Sequence, residues 1–281
     1  MNQTIFTSGI IILAAASVVF FIWKRRSGGT DSGSGGSLLA MYSRDLTQLA
    51  KEGKLDPVIG RHREIARLVQ ILSRRMKNNP ILIGKSGIGK TAIVEELANL
   101  IAAGQVPDSL KHKRVLQLDL SGLIAGTKYR GEFEKRLQSI VNEIRAARRN
   151  IVLFIDEVHI LAEAGEASGA INAADILKPA LSRGDLQAIG ATTLVEYQNS
   201  IEKDRTLKRR FQPITVEEST PEETMKILFG IRKRYNDYHH VDIADEALKA
   251  AVEMTQKTIP GRHYPDKAID AIDEASAKVH L

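Results

Sequence analysis

The stretch GKSGIGKT at residues 84–91 constrains the fold of this chain more than any other part of its sequence. It follows the apolar run 81–83 and precedes a helical pattern, which is the setting that the phosphate-binding loop G-x-x-x-x-G-K-[ST] requires. The glycines let backbone N–H groups close around phosphate oxygens, and the next helix adds its positive dipole end. Lys90 supplies a charge for the β- and γ-phosphates, and the Thr91 hydroxyl can bind Mg²⁺. We therefore expect a nucleotide site at a strand-to-helix turn.

Short apolar runs alternate with amphipathic helical patterns around this loop. Apolar side chains recur at helical spacing at residues 94, 97, 98 and 101 and again at 133, 137, 140, 141 and 144. This alternation predicts an α/β fold with a mainly parallel sheet covered by helices on both faces, in which ligands bind beyond the carboxyl ends of the strands. The predicted strands are 81–83, 115–120, 151–155, 187–191 and a weaker one at 214–216.

Two acidic residues follow the third predicted strand. The run IVLFI at 151–155 leads directly into Asp156 and Glu157. A buried strand would set both carboxylates beside the phosphate-binding loop, where Asp156 would bind Mg²⁺ and Glu157 would act as general base toward the attacking water. Because many strands end in acids, the pair alone is a weak signal, and the loop upstream makes it a strong one.

Two further groups keep open interpretations when only their own residues are considered. Tyr129 lies between Lys128 and Arg130 in GTKYRG, and on composition it is read as a packed aromatic. Arg209 and Arg210 in LKRRF fit surface charges equally well as guanidinium groups that a neighbouring subunit supplies to a γ-phosphate.

The amino-terminal segment 5–23 is apolar over nineteen residues. As a helix it would span about 29 Å, close to the roughly 30 Å thickness of a hydrocarbon core. Lys24, Arg25 and Arg26 follow at once, which predicts a single-pass transmembrane helix with the amino terminus outside and the rest cytoplasmic, at a bacterial inner membrane. The alternative is a cleavable secretory signal. Residues 24–37 read as a basic cluster and a flexible Gly/Ser linker.

Charge and cysteine content exclude other classes of protein. The net charge is +6, and half of it lies in the basic cluster, so we expect no nucleic-acid partner and disfavour a nucleic-acid motor. The chain has no cysteine, which excludes a disulfide framework, a cysteine zinc site and a cysteine nucleophile.

Taken together, the motifs from residue 42 to 281 resemble the first ATPase domain of the Clp chaperones ClpB and ClpC, within the AAA+ superfamily. The resemblance implies a large nucleotide-binding domain at 38–216 with the AAA+ parallel sheet, and a small all-α lid domain at 217–281. The segments that carry it are RDLTQLAKEGKLDPVIGR, NNPILIGKSGIGKTAIVEELA, AGTKYRGEFEKRL, LFIDEVHIL, GAINAADILKPALSRG, AIGATTLVEY, IEKD, RRFQ and YPDKAIDAIDEASA.

The resemblance also implies roles for residues of the nucleotide site. Val58 and Ile59 would line the adenine pocket, Thr193 would be the sensor beside the γ-phosphate, and Pro265 and Asp266 would couple the lid to the nucleotide state. The residues expected to bind nucleotide are Val58, Ile59, Gly84, Lys85, Ser86, Gly87, Ile88, Gly89, Lys90, Thr91, Ala92, Pro265 and Asp266.

By the same resemblance, Arg209 and Arg210 would be arginine fingers acting on the adjacent subunit. They complete a catalytic set with Glu157, Lys90 and Thr193. The metal ligands would be Thr91 and Asp156, and the cofactors ATP and Mg²⁺.

The loop Lys128, Tyr129 and Arg130 would then grip a polypeptide in the central pore, and 164–169 would form a second pore loop. The implied activity is that of a membrane-anchored, Mg²⁺-dependent ATP hydrolase that forms a homo-oligomer, a hexamer, and threads or remodels protein substrates. The alternatives are a non-threading assembly or energising ATPase of an envelope complex, such as a secretion or pilus apparatus, and a truncated, inactive relic.

Three residues depart from the family pattern. Lys85 and Ser86 replace the acid and proline usual in the loop, and Lys208 replaces the acid before the arginine pair. A middle coiled coil, a second ATPase domain with its ClpP-docking loop, and an amino-terminal substrate domain are not seen in this sequence, so we expect no ClpP docking.

Overall fold

A single six-stranded sheet organises the large domain. The computed structural model describes residues 37–125, 130–160 and 173–280. The strands lie in the order β1-β3-β4-β5-β2-β6, and all neighbouring pairs are parallel except β1 with β3. Their bounds are β1 (Ser43–Asp45), β2 (Asn79–Ile83), β3 (Arg114–Leu118), β4 (Ile151–Ile155), β5 (Gln187–Thr192) and β6 (Phe211–Thr215).

Helices connect the strands and cover both faces of the sheet. A short π-helical segment, Tyr197–Ile201, follows α8. The helices are α1 (Leu38–Met41), α2 (Leu46–Lys51), α3 (His62–Leu72), α4 (Lys90–Ala102), α5 (Leu120–Ile124), α6 (Arg130–Ala146), α7 (Ala173–Arg183), α8 (Leu194–Glu196), α9 (Arg205–Arg210), α10 (Pro221–His239), α11 (Asp245–Thr258) and α12 (Asp266–His280).

Successive strand residues pack into two different cores, one on each face of the sheet. Ile81 on β2 packs into the core that contains Phe133 of α6, and its neighbour Leu82 packs into the core that contains Leu97 of α4. All of these side chains are buried. The predicted helix faces at 94–101 and 133–144 are confirmed, because their apolar side chains fill these two cores. The predicted α/β sheet with helices on both faces is also confirmed.

The sheet differs from the prediction at one edge and at several strand ends: β2 begins at Asn79 rather than at residue 81, and β6 spans Phe211–Thr215 rather than 214–216. The three-residue strand β1 adds an antiparallel edge, which is too short to produce a periodic apolar signal. The third strand ends at Leu118 rather than at residue 120, because the Asp119 carboxylate accepts a hydrogen bond from the Gly122 N–H and begins α5.

The three carboxyl-terminal helices α10, α11 and α12 form a core of their own. Leu228, Leu248, Val252 and Ile272 meet there, and the Tyr264 ring joins them. The predicted C-terminal helical lid is confirmed, and the domain bounds 38–216 and 217–281 stay predictions.

The predicted transmembrane helix falls on residues 5–23, outside the residues that the structure describes. Within the described ranges, no helix is both long enough and apolar enough to cross a bilayer. The longest, α10, has 19 residues and carries charged side chains such as Lys226 and Lys233. The predicted single-pass membrane localisation is therefore corrected. The prediction depended only on local sequence, namely the apolar residues 5–23 and the basic residues that follow them.

Candidate functional site

The phosphate-binding loop lies between β2 and α4, at the carboxyl ends of the parallel strands. The Gly84 N–H donates to the Thr192 carbonyl at 3.2 Å, which ties the loop to the end of β5. A Cβ at Gly84 would lie 2.5 Å from the Val216 carbonyl oxygen, and Gly87 and Gly89 adopt φ values of 75° and 91°. Side chains would obstruct or strain this backbone, so the three glycines set the shape of the loop.

Lys90 begins α4 and folds back across the loop. Its Nζ donates to the carbonyl oxygens of Gly84 at 2.9 Å and Lys85 at 2.8 Å. Burial lowers the pKa of Lys90, while the charges of Asp156 and Glu196 oppose that shift. The ammonium group thus lies where phosphate oxygens can take the place of the two carbonyls.

Thr91 and Asp156 converge from α4 and the end of β4. The Thr91 hydroxyl donates to Asp156 Oδ2 at 3.2 Å. Two hard oxygen donors suit a Mg²⁺ ion that takes its remaining ligands from phosphates and water. The described part of the chain holds no cluster of three or more His, Cys, Asp or Glu side chains that could bind a metal alone. The residues therefore fit a Mg²⁺ that arrives with the nucleotide and neutralises phosphate charge.

An Asp156→Asn variant is expected to raise the Mg²⁺ concentration needed for half-maximal ATP turnover by about 10-fold or more, because an amide oxygen binds Mg²⁺ more weakly than a carboxylate. A Mg²⁺ titration at fixed ATP measures it. Asp108→Asn is the control, since that carboxylate is exposed and pairs with Lys111. An unchanged Mg²⁺ requirement in Asp156→Asn would contradict this assignment.

Glu157 follows Asp156 at the exposed end of β4. Its backbone has a φ of 50°, and its N–H donates to Asp156 Oδ1 at 3.0 Å. The next residue, Val158, donates its N–H to the Ala191 carbonyl at 3.0 Å, which fixes the turn against β5. The structure thus places an exposed carboxylate beside the Thr91–Asp156 pair.

A second polar network lies at the end of β5 and the start of α8. Thr193 caps α8, and its hydroxyl donates to Glu196 Oε2 at 2.8 Å. The Thr192 hydroxyl donates to the same oxygen at 3.1 Å, and His159 Nδ1 lies 3.2 Å from it. Burial alone would raise the pKa of Glu196, but the bonds from Thr193 and Thr192 and the charge of His159 lower it. Sequence reasoning missed Glu196 and His159, although DEVHIL and TTLVEY contain them.

A Glu196→Gln variant is expected to have a lower free energy of unfolding than the wild type, by an amount that depends on pH. Because the folded-state pKa of Glu196 is depressed, its contribution is present above the unfolded-state pKa near 4.5 and is lost as the pH falls through the folded-state value. Allowing for solvent screening, we expect the variant to unfold about 1 kcal/mol more easily at pH 7, with the difference shrinking below about pH 4. Urea unfolding of the variant and the wild type at pH 7 and below about pH 4 measures this difference. Glu246→Gln is the control, because that side chain is exposed. A difference that is the same at both pH values would contradict it.

The adenine-side residues and the lid turn also lie at this site. Val58 and Ile59 are partly buried. A Cβ at Gly230 of α10 would lie 2.5 Å from Ile59 Cγ1, so the lid packs closely on this segment. Asp266, which begins α12 after Pro265, directs its N–H at the Gly87 carbonyl at 3.4 Å. The structure thus brings the loop, the 58–59 segment and the 265–266 turn together.

Other predicted residues are not brought to this site. Arg209 is exposed and Arg210 half-buried at the end of α9, and among the described residues no hydrogen bond or ion pair joins either side chain to the loop. Lys128, Tyr129 and the segment 164–169 lie outside the described residues, and Arg130 is described through its backbone alone, as the first residue of α6.

Comparison with known families assigns both domains. Residues 80–216 match the AAA family, described as the ATPase family associated with various cellular activities, and residues 220–281 match the AAA lid domain. The chain is 58% identical over 239 residues to the ATP-dependent Clp protease ATP-binding subunit ClpC of Staphylococcus epidermidis, covering 85% of this chain and 29% of that protein. It is 57% identical over 253 residues to the chaperone protein ClpB of Oceanobacillus iheyensis, covering 90% and 31%.

Solved structures agree with these relatives. The S. cerevisiae Hsp104–ADP complex superposes with a TM-score of 0.80 at 46% identity, over 86% of this chain and 34% of that one. The extended S. cerevisiae Hsp104:casein complex gives 0.78 at 46% identity, over 86% and 41%. The chain thus spans about a third of the length of the curated relatives it matches. These likenesses support the nucleotide site, and they give no support to the predicted membrane localisation.

Proposed function

This chain belongs to the AAA family of ATPases, enzymes that hydrolyse ATP with Mg²⁺, and we propose that it uses this hydrolysis to unfold or remodel polypeptides through the pore of a ring. The observation that carries the proposal is the convergence of the loop 84–91, the acids Asp156 and Glu157, and the lid turn on one site. The likeness to an Hsp104 chain solved with casein supports the polypeptide part.

In the proposed reaction, the loop N–H groups and Lys90 bind the β- and γ-phosphates. Thr91 and Asp156 would hold a Mg²⁺ that arrives with the nucleotide, and this ion would offset phosphate charge. Glu157 orients a water in line with the γ-phosphate and accepts its proton. Thr193, whose hydroxyl donates to Glu196 Oε2 at 2.8 Å, would act as the sensor beside the γ-phosphate.

A ring of identical subunits, a hexamer, would complete the site. Arg209 and Arg210 lie at the end of α9 and, among the described residues, form no hydrogen bond or ion pair with the loop of their own chain. A guanidinium supplied from a neighbour stabilises the charge that develops on the transferring phosphoryl group. We therefore propose that each nucleotide is bound by one subunit and completed by the arginine pair of the next.

Tyr129 tests whether the ring threads its substrate. In Tyr129→Ala, ATP-driven unfolding of a fluorescent protein substrate is expected to fall about 10-fold or more, while basal ATP turnover stays within about twofold, because an aromatic grip contributes to substrate contact alone. Tyr238→Ala is the control, since that tyrosine is 79% exposed on the lid. Unfolding that persists at the wild-type rate in Tyr129→Ala would contradict threading and favour the non-threading assembly ATPase.

A further inference from the structure

The segment that joins β6 to α10, residues 217–219, is tied to the phosphate-binding loop by the largely buried side chain of Arg61. The Arg61 side chain is 12% exposed. Its guanidinium donates to the Ile88 carbonyl at 2.8 Å, to the Glu217 carbonyl at 2.8 Å and to Ser219 Oγ at 3.0 Å. This segment is therefore held in a fixed position beside the loop, and Glu218 lies between the two anchored residues.

The Glu218 carboxylate makes the opposite connection, to the lid. Its Oε1 accepts the Tyr264 N–H at 2.9 Å, and its Oε2 lies 2.8 Å from His263 Nδ1. The same Oε2 is 3.9 Å from Lys85 Nζ in the phosphate-binding loop. Burial alone would raise the pKa of Glu218, but the Tyr264 N–H, the His263 ring and the Lys85 charge lower it, which keeps the carboxylate ionised near neutral pH.

The turn that Glu218 holds is the one that meets the loop. Asp266 directs its N–H at the Gly87 carbonyl at 3.4 Å. A Cβ at Gly87 would lie 2.7 Å from Asp266 Cβ, so the lid turn and the loop are in close contact without room for a side chain between them. A shift of the lid turn would therefore move the backbone of the phosphate-binding loop.

We propose that Glu218 is a positioning residue for ATP binding, which links Lys85 of the phosphate-binding loop to the lid turn 263–266 so that this turn closes over the bound nucleotide. The inference deepens the proposed function, because it concerns the same nucleotide site. Lys85 stands where the Clp resemblance leads one to expect an acid, and an acid there would repel Glu218. The link through Lys85 is thus a property of this chain.

Glu218→Gln tests the link with little change of shape. The amide can still accept the Tyr264 N–H, but it loses the charge that attracts His263 and Lys85. We expect the Kd for a fluorescent ATP analogue and the KM for ATP to rise about 5- to 10-fold, with kcat changed by less than about twofold. Glu217→Gln is the matched control, since its side chain is exposed and its recorded contact is through the backbone carbonyl. It is expected to bind the analogue within about twofold of wild type.

A double-mutant cycle separates this link from a direct contact between Lys85 and nucleotide. Lys85→Gln changes an exposed side chain, so we expect the variant to fold. It is expected to weaken ATP binding about 2- to 3-fold in the wild-type background and to have no further effect in Glu218→Gln. Additive effects, or wild-type binding by Glu218→Gln, would overturn the proposal. The Kd of the fluorescent analogue measures ATP binding alone, so this result stands whether or not Tyr129→Ala supports threading.

Discussion

Glu157→Gln is expected to lower ATP turnover about 100- to 10,000-fold while ATP still binds, because glutamine keeps the shape of the side chain and cannot accept a proton from the attacking water. The Glu157 side chain is exposed at the end of β4, beside the Thr91–Asp156 pair, and among the described residues it accepts no hydrogen bond from the phosphate-binding loop. Steady-state release of phosphate and equilibrium binding of a fluorescent ATP analogue measure the two quantities separately.

Glu253→Gln is the matched control for this variant. That carboxylate is exposed on α11, where it pairs with Lys249, and its loss is expected to leave turnover unchanged. If Glu157→Gln kept its turnover within about tenfold of wild type, a general base at this position would be excluded. A loss of turnover that came with an equal loss of ATP binding would instead make Glu157 a binding residue.

Lys90→Ala is expected to weaken ATP binding about 100-fold or more, because it removes the ammonium group that lies 2.9 Å from the Gly84 carbonyl oxygen and 2.8 Å from that of Lys85. The loop itself is expected to keep its fold, since Gly84, Gly87 and Gly89 shape its backbone. Binding is measured with the fluorescent analogue, and turnover at saturating ATP.

Lys249→Ala serves as the control for Lys90→Ala, because its side chain is 71% exposed on α11 and far from the loop in sequence. It is expected to bind ATP as wild type does. If Lys90→Ala bound ATP with wild-type affinity, the loop 84–91 would not be the triphosphate site, and the assignment of Asp156 and Glu157 would lose its basis.

The parts of the site that could be predicted are the ones that local sequence determines. The loop 84–91 carries its own glycines, lysine and threonine, and the acids 156–157 follow a strand whose five residues are all buried. Each pattern is contiguous and follows a predicted strand. Because the carboxyl ends of parallel strands lie at one edge of the sheet, the sequence places both patterns there. The helix faces of α4 and α6 were predictable for the same reason.

The parts that could not be predicted join residues that are distant in sequence. Arg61 meets Ser219, and Glu218 meets Tyr264, through packing of the lid on the large domain. Glu196 binds the Thr192 hydroxyl at the end of β5 and lies 3.2 Å from His159 Nδ1, a residue that follows a different strand. No periodicity or motif spacing reports such contacts, because they depend on the tertiary arrangement.

Two predictions show other limits of sequence reasoning. The membrane localisation was wrong: among the described residues no helix could cross a bilayer, and the prediction had depended on the hydropathy of residues 5–23 alone. The roles of Arg209 and Arg210 stay predictions, because the structure of one chain contains no neighbouring subunit whose nucleotide these side chains could contact.

The central proposal is that this chain couples ATP binding and hydrolysis to its hold on a polypeptide in the pore of a ring. The most direct measurement is the retention of fluorescent casein by the Glu157→Gln variant during gel filtration, with ATP and with ADP. The account predicts that casein co-elutes with the ATP-bound variant and is released with ADP, since a ring that cannot hydrolyse ATP holds its substrate. Casein that fails to co-elute with ATP, or that co-elutes equally with both nucleotides, would contradict it.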